Sequence, residues 1–362
     1  MKKTLLGAVA IVAVMALAPS AHAQTVPQIA FDSVPNPLKM PPNLYLGEVS
    51  GVAVNSKGHV FAFSRGSTSG PAYGAAAAQL LEFQADGTFV REIGHGLYAW
   101  SFAHAVKIDA KDNIWVTDKG SDQVVRFDPQ GRVTMVFGRK QEASDESTEP
   151  LKHPKPPLPP VDGMFRQVTD IAFDKAGNGY ISDGYINSRV AKVSKEGEWL
   201  TSWGTPGDGP GQLNTPHSIA TDAQDNVYVA DRGNRRIQVF DTQGKLLRQI
   251  TIDVPYDTNA KPAIGPKMTF PLPAGTTQTQ APGAPWTVCI TPGPNQVLYA
   301  SDAYPGRIYK MTLEGKVLGV LGGSGKQLKQ FGWIHEIACP SENTLYVAEL
   351  LNWRVQKLLL KP

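Results

Sequence analysis

Asn226-Val-Tyr-Val-Ala-Asp231 is a short run of β-branched and aromatic residues closed by an acid, and it recurs along the chain. Its copies are Asn113-Ile-Trp-Val-Thr-Asp118, Gly179-Tyr-Ile-Ser-Asp183, Val297-Leu-Tyr-Ala-Ser-Asp302 and Thr344-Leu-Tyr-Val-Ala-Glu349, with a degenerate sixth in His59-Val-Phe-Ala-Phe-Ser64. Most follow an Asp/Gly/Asn turn such as Asp222-Ala-Gln-Asp-Asn226. A third alternating run comes next, as in Arg236-Ile-Gln-Val-Phe240, and several copies add a fourth, as in Glu198-Trp-Leu-Thr-Ser-Trp203. The closing positions 64, 118, 183, 231, 302 and 349 are 54, 65, 48, 71 and 47 residues apart. Four strands per unit at a period of about 45 residues describe a propeller blade. One blade alone would leave its sheet faces bare, so six copies must ring a central axis. The expected fold is an all-β, six-bladed β-propeller over 43–362, after an extended N-terminal segment at 24–42. The long intervals hold two insertions without strand or helix period, near 140–160 and 254–285, expected as surface loops.

Residues 1–23 have the order of a secretory signal peptide: Lys2 and Lys3, an apolar run from Leu5 to Ala18, and Ala21-His22-Ala23 before Gln24. The expectation is an exported protein, periplasmic or secreted. Losing two lysines from 35 basic residues against 32 acidic ones leaves a net charge of +1. That balance gives no attraction to nucleic acid or anionic lipid. No later stretch is apolar enough to span a bilayer. The expected partner is a small-molecule or peptide substrate, and the expected state is a monomer.

His104, His217 and His335 each lie 14 residues before a closing position (118, 231 and 349). The same slot holds Ser50, Thr169 and Val288 in the other blades. The histidines therefore fall on every second blade. A hairpin returns each closing position to the rim where its slot began, so three imidazoles at threefold spacing face one channel mouth. Three neutral imidazoles with an open fourth position form the catalytic pattern of zinc and similar cations. Residues just after the closing positions share that rim: Arg65 and Arg232 in blades one and four, and Tyr185 in blade three. Guanidiniums suit a substrate carboxylate. A phenol beside a dication and two guanidiniums should have a lowered pKa and can act as a general base. His59, His95 and His153 lie outside the register and are expected at the surface.

The chain resembles the peptidyl-α-hydroxyglycine α-amidating lyase family, whose propellers are built from NHL-type repeats. The resemblance rests on Leu46-Gly-Glu-Val-Ser-Gly-Val-Ala-Val54 with Arg65-Gly66, on Trp115-Val-Thr-Asp118, and on Ser182-Asp-Gly-Tyr-Ile-Asn-Ser-Arg189. Further matches are Pro210-Gly-Gln-Leu213 with Pro216-His-Ser218, and Val229-Ala-Asp-Arg232. It implies that His104, His217 and His335 bind zinc, that Tyr185 is the catalytic base, and that Arg65 and Arg232 line the substrate pocket. It also implies a structural calcium on the channel axis, held by the Glu336 side chain and the backbone carbonyls of Val52 and Val106, although Glu336 replaces the family's Asp. The implied reaction cleaves the N–C bond of a carbinolamide to an amide and glyoxylate. Two rivals are a non-catalytic NHL-repeat propeller that binds a protein or ligand, and a gluconolactonase-type hydrolase. The latter would need a carboxylate-rich calcium site.

Two further expectations concern closure. Cys289 and Cys339 lie one and four residues past their slots, an offset of three, or roughly 10 Å along neighbouring strands. They are therefore expected not to form a disulfide. The ring should close by pairing Ile29–Val34 with Trp353–Leu360, because an open ring would expose a sheet edge.

Overall fold

A computed structural model of the chain describes residues 26–66, 78–140, 159–262 and 278–361. Among these residues the strands form six antiparallel sheets of four, which are the six expected blades. Their inner strands, from blade one to blade six, are Val49–Val54, Ala103–Ile108, Asp170–Phe173, Pro216–Thr221, Thr287–Ile290 and Ile334–Ser341. Apolar clusters fill the spaces between adjacent blades, for example Phe63, Leu80, Trp100, Val116 and Phe127 between the first two. The helical content described is one 3₁₀ turn, Arg232–Asn234, and no helix there is long and apolar enough to cross a membrane. Residues 1–23, with the signal-like leader, lie outside the described residues.

The recurring acid at each strand end has a shared structural task. Asp118, Asp183, Asp231, Asp302 and Glu349 are fully buried, and each carboxylate accepts backbone N–H groups from the loop that enters its own inner strand. The donors are Ser101 (2.9 Å), Arg166 (2.9 Å), Asn214 (2.7 Å), Gly283 (3.0 Å) and Gly332 (2.7 Å). In the degenerate first blade the Ser64 hydroxyl accepts from Gly47 at 3.1 Å. Buried carboxylates persist because charge-assisted bonds replace lost hydration. In five blades the donor sits 17 residues before the acceptor; in blade five the interval is 19.

Blade five's two extra residues overturn the expectation about the cysteines: Cys289 and Cys339 are disulfide-bonded, with Cα atoms 6.1 Å apart. Counting back from the closing position misplaces blade five by those two residues. In the ladder, Cys289 sits opposite Tyr299 and Ala338 opposite Tyr346, each three before its closing position. Cys339 therefore stands one step from the level of Cys289, not three.

The ring closes as expected. Phe31–Val34 pairs antiparallel with Arg354–Leu360, from Phe31 opposite Leu360 to Val34 opposite Lys357, and completes the sixth blade. The second insertion departs from a surface loop at its return leg. Ala281 and Ala284 are buried, and the Gln278 N–H donates to the Gly233 carbonyl at 3.0 Å. His95 is exposed, whereas His59 is half-buried, with Nδ1 2.8 Å from Glu82 Oε1. His153 lies outside the described residues.

Candidate metal centre

Each candidate ligand is the extra residue of a β-bulge. Ala103 faces Asp118 and Ala105 faces Thr117, so His104 has no cross-strand partner. The ladder skips in the same way at His335, and at His217 the skip takes in His217 and Ser218 opposite the single residue Ala230. An ordinary strand residue would alternate between sheet faces, whereas a bulge re-aims its side chain. Here it turns the imidazoles toward the channel axis.

The ring centroids of His104, His217 and His335 lie 4.8, 4.6 and 4.8 Å apart pairwise. Each Nδ1 is bonded to a carbonyl of the next blade: His104 to Thr169 (2.6 Å), His217 to Trp286 (2.6 Å) and His335 to Ser50 (2.7 Å). A carbonyl only accepts, so Nδ1 carries the hydrogen and the Nε2 lone pair points inward. The three imidazoles offer ligand atoms within 4.8 Å of one another. Burial, with the neighbouring cations and imidazoles, pushes all three pKa values well below the ordinary value of 6.5, so the rings are neutral. Nε2 of His217 is buried and meets no hydrogen-bond partner. Three neutral, converging imidazoles, one with an orphaned lone pair, fit a borderline divalent cation such as zinc.

The other expected site residues gather at this mouth. The Tyr185 hydroxyl lies 3.4 Å from His104 Nε2. Arg65 is tied to Glu48 (2.9 Å) and to the Ala103 carbonyl (2.9 Å), and its Nη2 lies 3.4 Å from His335 Nε2. Arg232 stacks over Trp286 at 4.2 Å and bonds Tyr185, while its buried Nε and Nη1 meet no acceptor. Gly184, which precedes Tyr185, makes room for this cluster: a Cβ there would stand 1.9 Å from the Pro216 carbonyl oxygen.

Lys119 belongs to the same cluster, although no expectation named it. Its ammonium is 3.9 Å from the centre of the Tyr185 ring and 5.1 Å from that of Phe102. No carboxylate forms an ion pair with it among the described residues, and burial lowers its pKa. The signal was present in the repeat, because Lys119 follows Asp118 as Arg65 follows Ser64 and Arg232 follows Asp231. Burial alone would raise the Tyr185 phenol, but Arg232, Lys119 and Arg65 outweigh it and hold the phenol below its ordinary value.

The expected calcium ligands are placed differently. Glu336 Oε2 accepts the N–H groups of Val52 (3.0 Å) and Val106 (3.1 Å), and the Lys107 ammonium is 2.6 Å from Glu336 Oε1. Oε1 meets no donor in hydrogen-bonding geometry, but the ammonium stands where a dication held by that oxygen would have to sit, so the site as built does not fit one.

Comparison with known proteins agrees with this layout. The NHL repeat model matches residues 213–240. Peptidylglycine alpha-amidating monooxygenase from Rattus norvegicus is 31% identical over 227 residues, covering 56% of this chain but 22% of that protein. The chain thus spans about a fifth of that relative's length. A probable peptidyl-alpha-hydroxyglycine alpha-amidating lyase from Caenorhabditis elegans is 25% identical over 312 residues, covering 75% of this chain and 84% of its own. Among solved structures, a streptogramin B lyase superposes with a TM-score of 0.54 at 14% identity, covering 92% of this chain and 97% of that one. A gluconolactonase from Xanthomonas campestris gives 0.54 at 13%, covering 88% and 87%. These two likenesses establish the fold alone. The chain is a six-bladed β-propeller with an NHL repeat at residues 213–240, similar in sequence to the amidating lyases, with a three-histidine site able to hold a metal ion.

Proposed function

We propose that the chain is a zinc-dependent carbon–nitrogen lyase that cleaves a peptidyl-α-hydroxyglycine or a similar carbinolamide to an amide and glyoxylate. The observation that carries this reading is the Tyr185 hydroxyl, set 3.4 Å from a converging imidazole and among three cations. A zinc ion held by His104, His217 and His335 would act as a Lewis acid on the carbinol oxygen.

The chain's own residues supply the rest. Arg232 and Lys119, which pair with no carboxylate among the described residues, hold the substrate carboxylate; the guanidinium fork suits bidentate contact. Arg65, anchored by Glu48 and the Ala103 carbonyl, lines the same wall and, after Arg232 and Lys119, helps lower the phenol's pKa. Tyr185 takes the carbinol proton on its phenolate oxygen. As that C–O bond becomes a carbonyl, the N–C bond breaks, and the proton passes from Tyr185 to the departing amide nitrogen. No electron is gained or lost. The leader-like residues 1–23 and the disulfide support an exported site of action in an oxidising compartment. The propeller needs no partner copy to complete the site, which supports a monomer.

The test is zinc analysis of purified protein together with glyoxylate release from a simple N-acyl-α-hydroxyglycine. Stoichiometric zinc and metal-dependent release are expected. Zinc-loaded protein that releases no glyoxylate would remove this reaction from consideration.

A further inference from the structure

A layer of polar side chains lies directly behind the imidazoles: one small void is lined both by the three histidines and by Asp170, Ser218 and Glu336. Its members come from successive inner strands. Glu336 of blade six reaches the amides of Val52 in blade one and Val106 in blade two. Lys107 of blade two lies 2.6 Å from Glu336 Oε1 and 3.4 Å from Asp170 Oδ2 of blade three. Asp170 accepts from the Ser218 hydroxyl (2.8 Å) and the Ile219 amide (3.1 Å) of blade four. The Ser218 oxygen accepts in turn from the Val288 amide of blade five at 3.2 Å. The Cys289–Cys339 bond joins blade five back to blade six. The circuit passes through every blade. Gly51 leaves space for it, since a Cβ there would stand 2.9 Å from Glu336 Oε2 and 2.9 Å from the Val106 nitrogen.

We infer that Lys107 is the axial cation of this propeller: its ammonium, bridging Glu336 and Asp170, joins the blades at the place where a structural divalent ion would otherwise sit. The two carboxylates are all but fully buried, with side-chain exposures of 3% and 2%. Two such charges need a counter-charge inside the channel, and Lys107 provides one without reference to any dissolved ion. A dication would have to displace Lys107, because two amides hold Oε2 of Glu336 and the ammonium stands 2.6 Å from Oε1, which meets no donor in hydrogen-bonding geometry. Beyond this layer the channel widens into a cavity of about 490 Å³ lined by residues such as Val54, Ile108, Ile219 and Ile337, so the layer also separates the histidine mouth from the far end.

The inference does not depend on the lyase reaction, and its test does not use activity. Wild-type zinc-loaded protein is dialysed against millimolar calcium, analysed for bound calcium, and melted with and without it. No bound calcium and an unchanged Tm are expected; stoichiometric calcium with a raised Tm would overturn the inference. Lys107→Met should then lower Tm by on the order of 10 °C, because two buried carboxylates lose their partner. A variant that melts like the wild type would also overturn it. If Lys107→Met fails to fold, the double variant Lys107→Met with Glu336→Gln, which removes one charge of each sign, should recover part of the stability. No recovery would count against the pairing.

Discussion

The Tyr185 hydroxyl and Nε2 of His104 lie 3.4 Å apart, although the two residues are 81 positions apart and belong to different blades. The phenol is thus close to the metal ligands without being one of them. Tyr185→Phe should keep the zinc and lower kcat by roughly 10²- to 10⁴-fold, the usual contribution of a positioned general base. His217→Ala should instead lose or greatly weaken the zinc and abolish turnover in a folded propeller. Metal content, folding and turnover measured on both variants separate the roles, and a fully active Tyr185→Phe would rule out Tyr185 as the base.

The pH profile should report the same phenol. Its pKa is held below the ordinary phenol value, against burial, by Arg232, Lys119 and Arg65. The phenolate exists above that lowered pKa, so kcat/KM should decline as pH falls through it. Arg232→Gln removes the first of the lowering charges and should move the acid limb toward higher pH. A limb that stays in place would mean that another group governs it.

Lys119 has no carboxylate partner among the described residues and sits over the Tyr185 ring at 3.9 Å. Lys119→Met should lower kcat/KM by roughly 10- to 100-fold, the range of one charge-assisted hydrogen bond. Most of the loss should appear in KM, with zinc content unchanged. Steady-state kinetics with an unaltered KM would return Lys119 to the role of a rim charge.

Acid should destabilise the metal-free protein through its imidazoles. All three are held neutral in the fold, whereas in the unfolded chain they take up protons as pH falls through about 6.5. The unfolded state then binds more protons, so their contribution to stability is lost as pH drops. Three such groups steepen the dependence by up to about 4 kcal/mol per pH unit. Urea unfolding of the stripped wild type, compared with the combined His104→Gln, His217→Gln and His335→Gln variant, isolates this component. Equal slopes would show that the rings are protonated in the fold.

The disulfide closes a loop across two blades at a sequence separation of 50. Replacing Cys289 and Cys339 by serine should cost about 2–4 kcal/mol and lower Tm, while zinc binding persists because the candidate ligand group consists of His104, His217 and His335. Calorimetry of both forms checks this, and equal melting temperatures would show that the bond contributes nothing.

The blades and the histidine register could be read from the sequence because one local rule repeats. A side chain at a strand end, an acid in four blades and Ser64 in the first, captures the loop 17 residues earlier, so equal spacing along the chain places equivalent residues at equal height. Lys119 obeyed that rule and was overlooked. The cysteines did not obey it, because blade five lengthens the interval to 19. The pairing of Lys107 with Glu336 was out of reach for a different reason: the residues are 229 positions apart, and no repeat position links them.

The strand that completes the sixth blade is, among the described residues, the first in the chain. The Ser33 hydroxyl reaches the Gln356 side chain at 2.6 Å across 323 residues, and Phe31–Val34 has its partner only in Arg354–Leu360. While the chain is synthesised, that segment must wait for its partner until more than 300 further residues have emerged. Five blades can assemble in order as they appear, but the circle cannot lock until Arg354–Leu360 has emerged. A chain broken before Arg354 would carry its first five blades and an unlatched ring, so the closing contact reports whether the two ends of the propeller are both present.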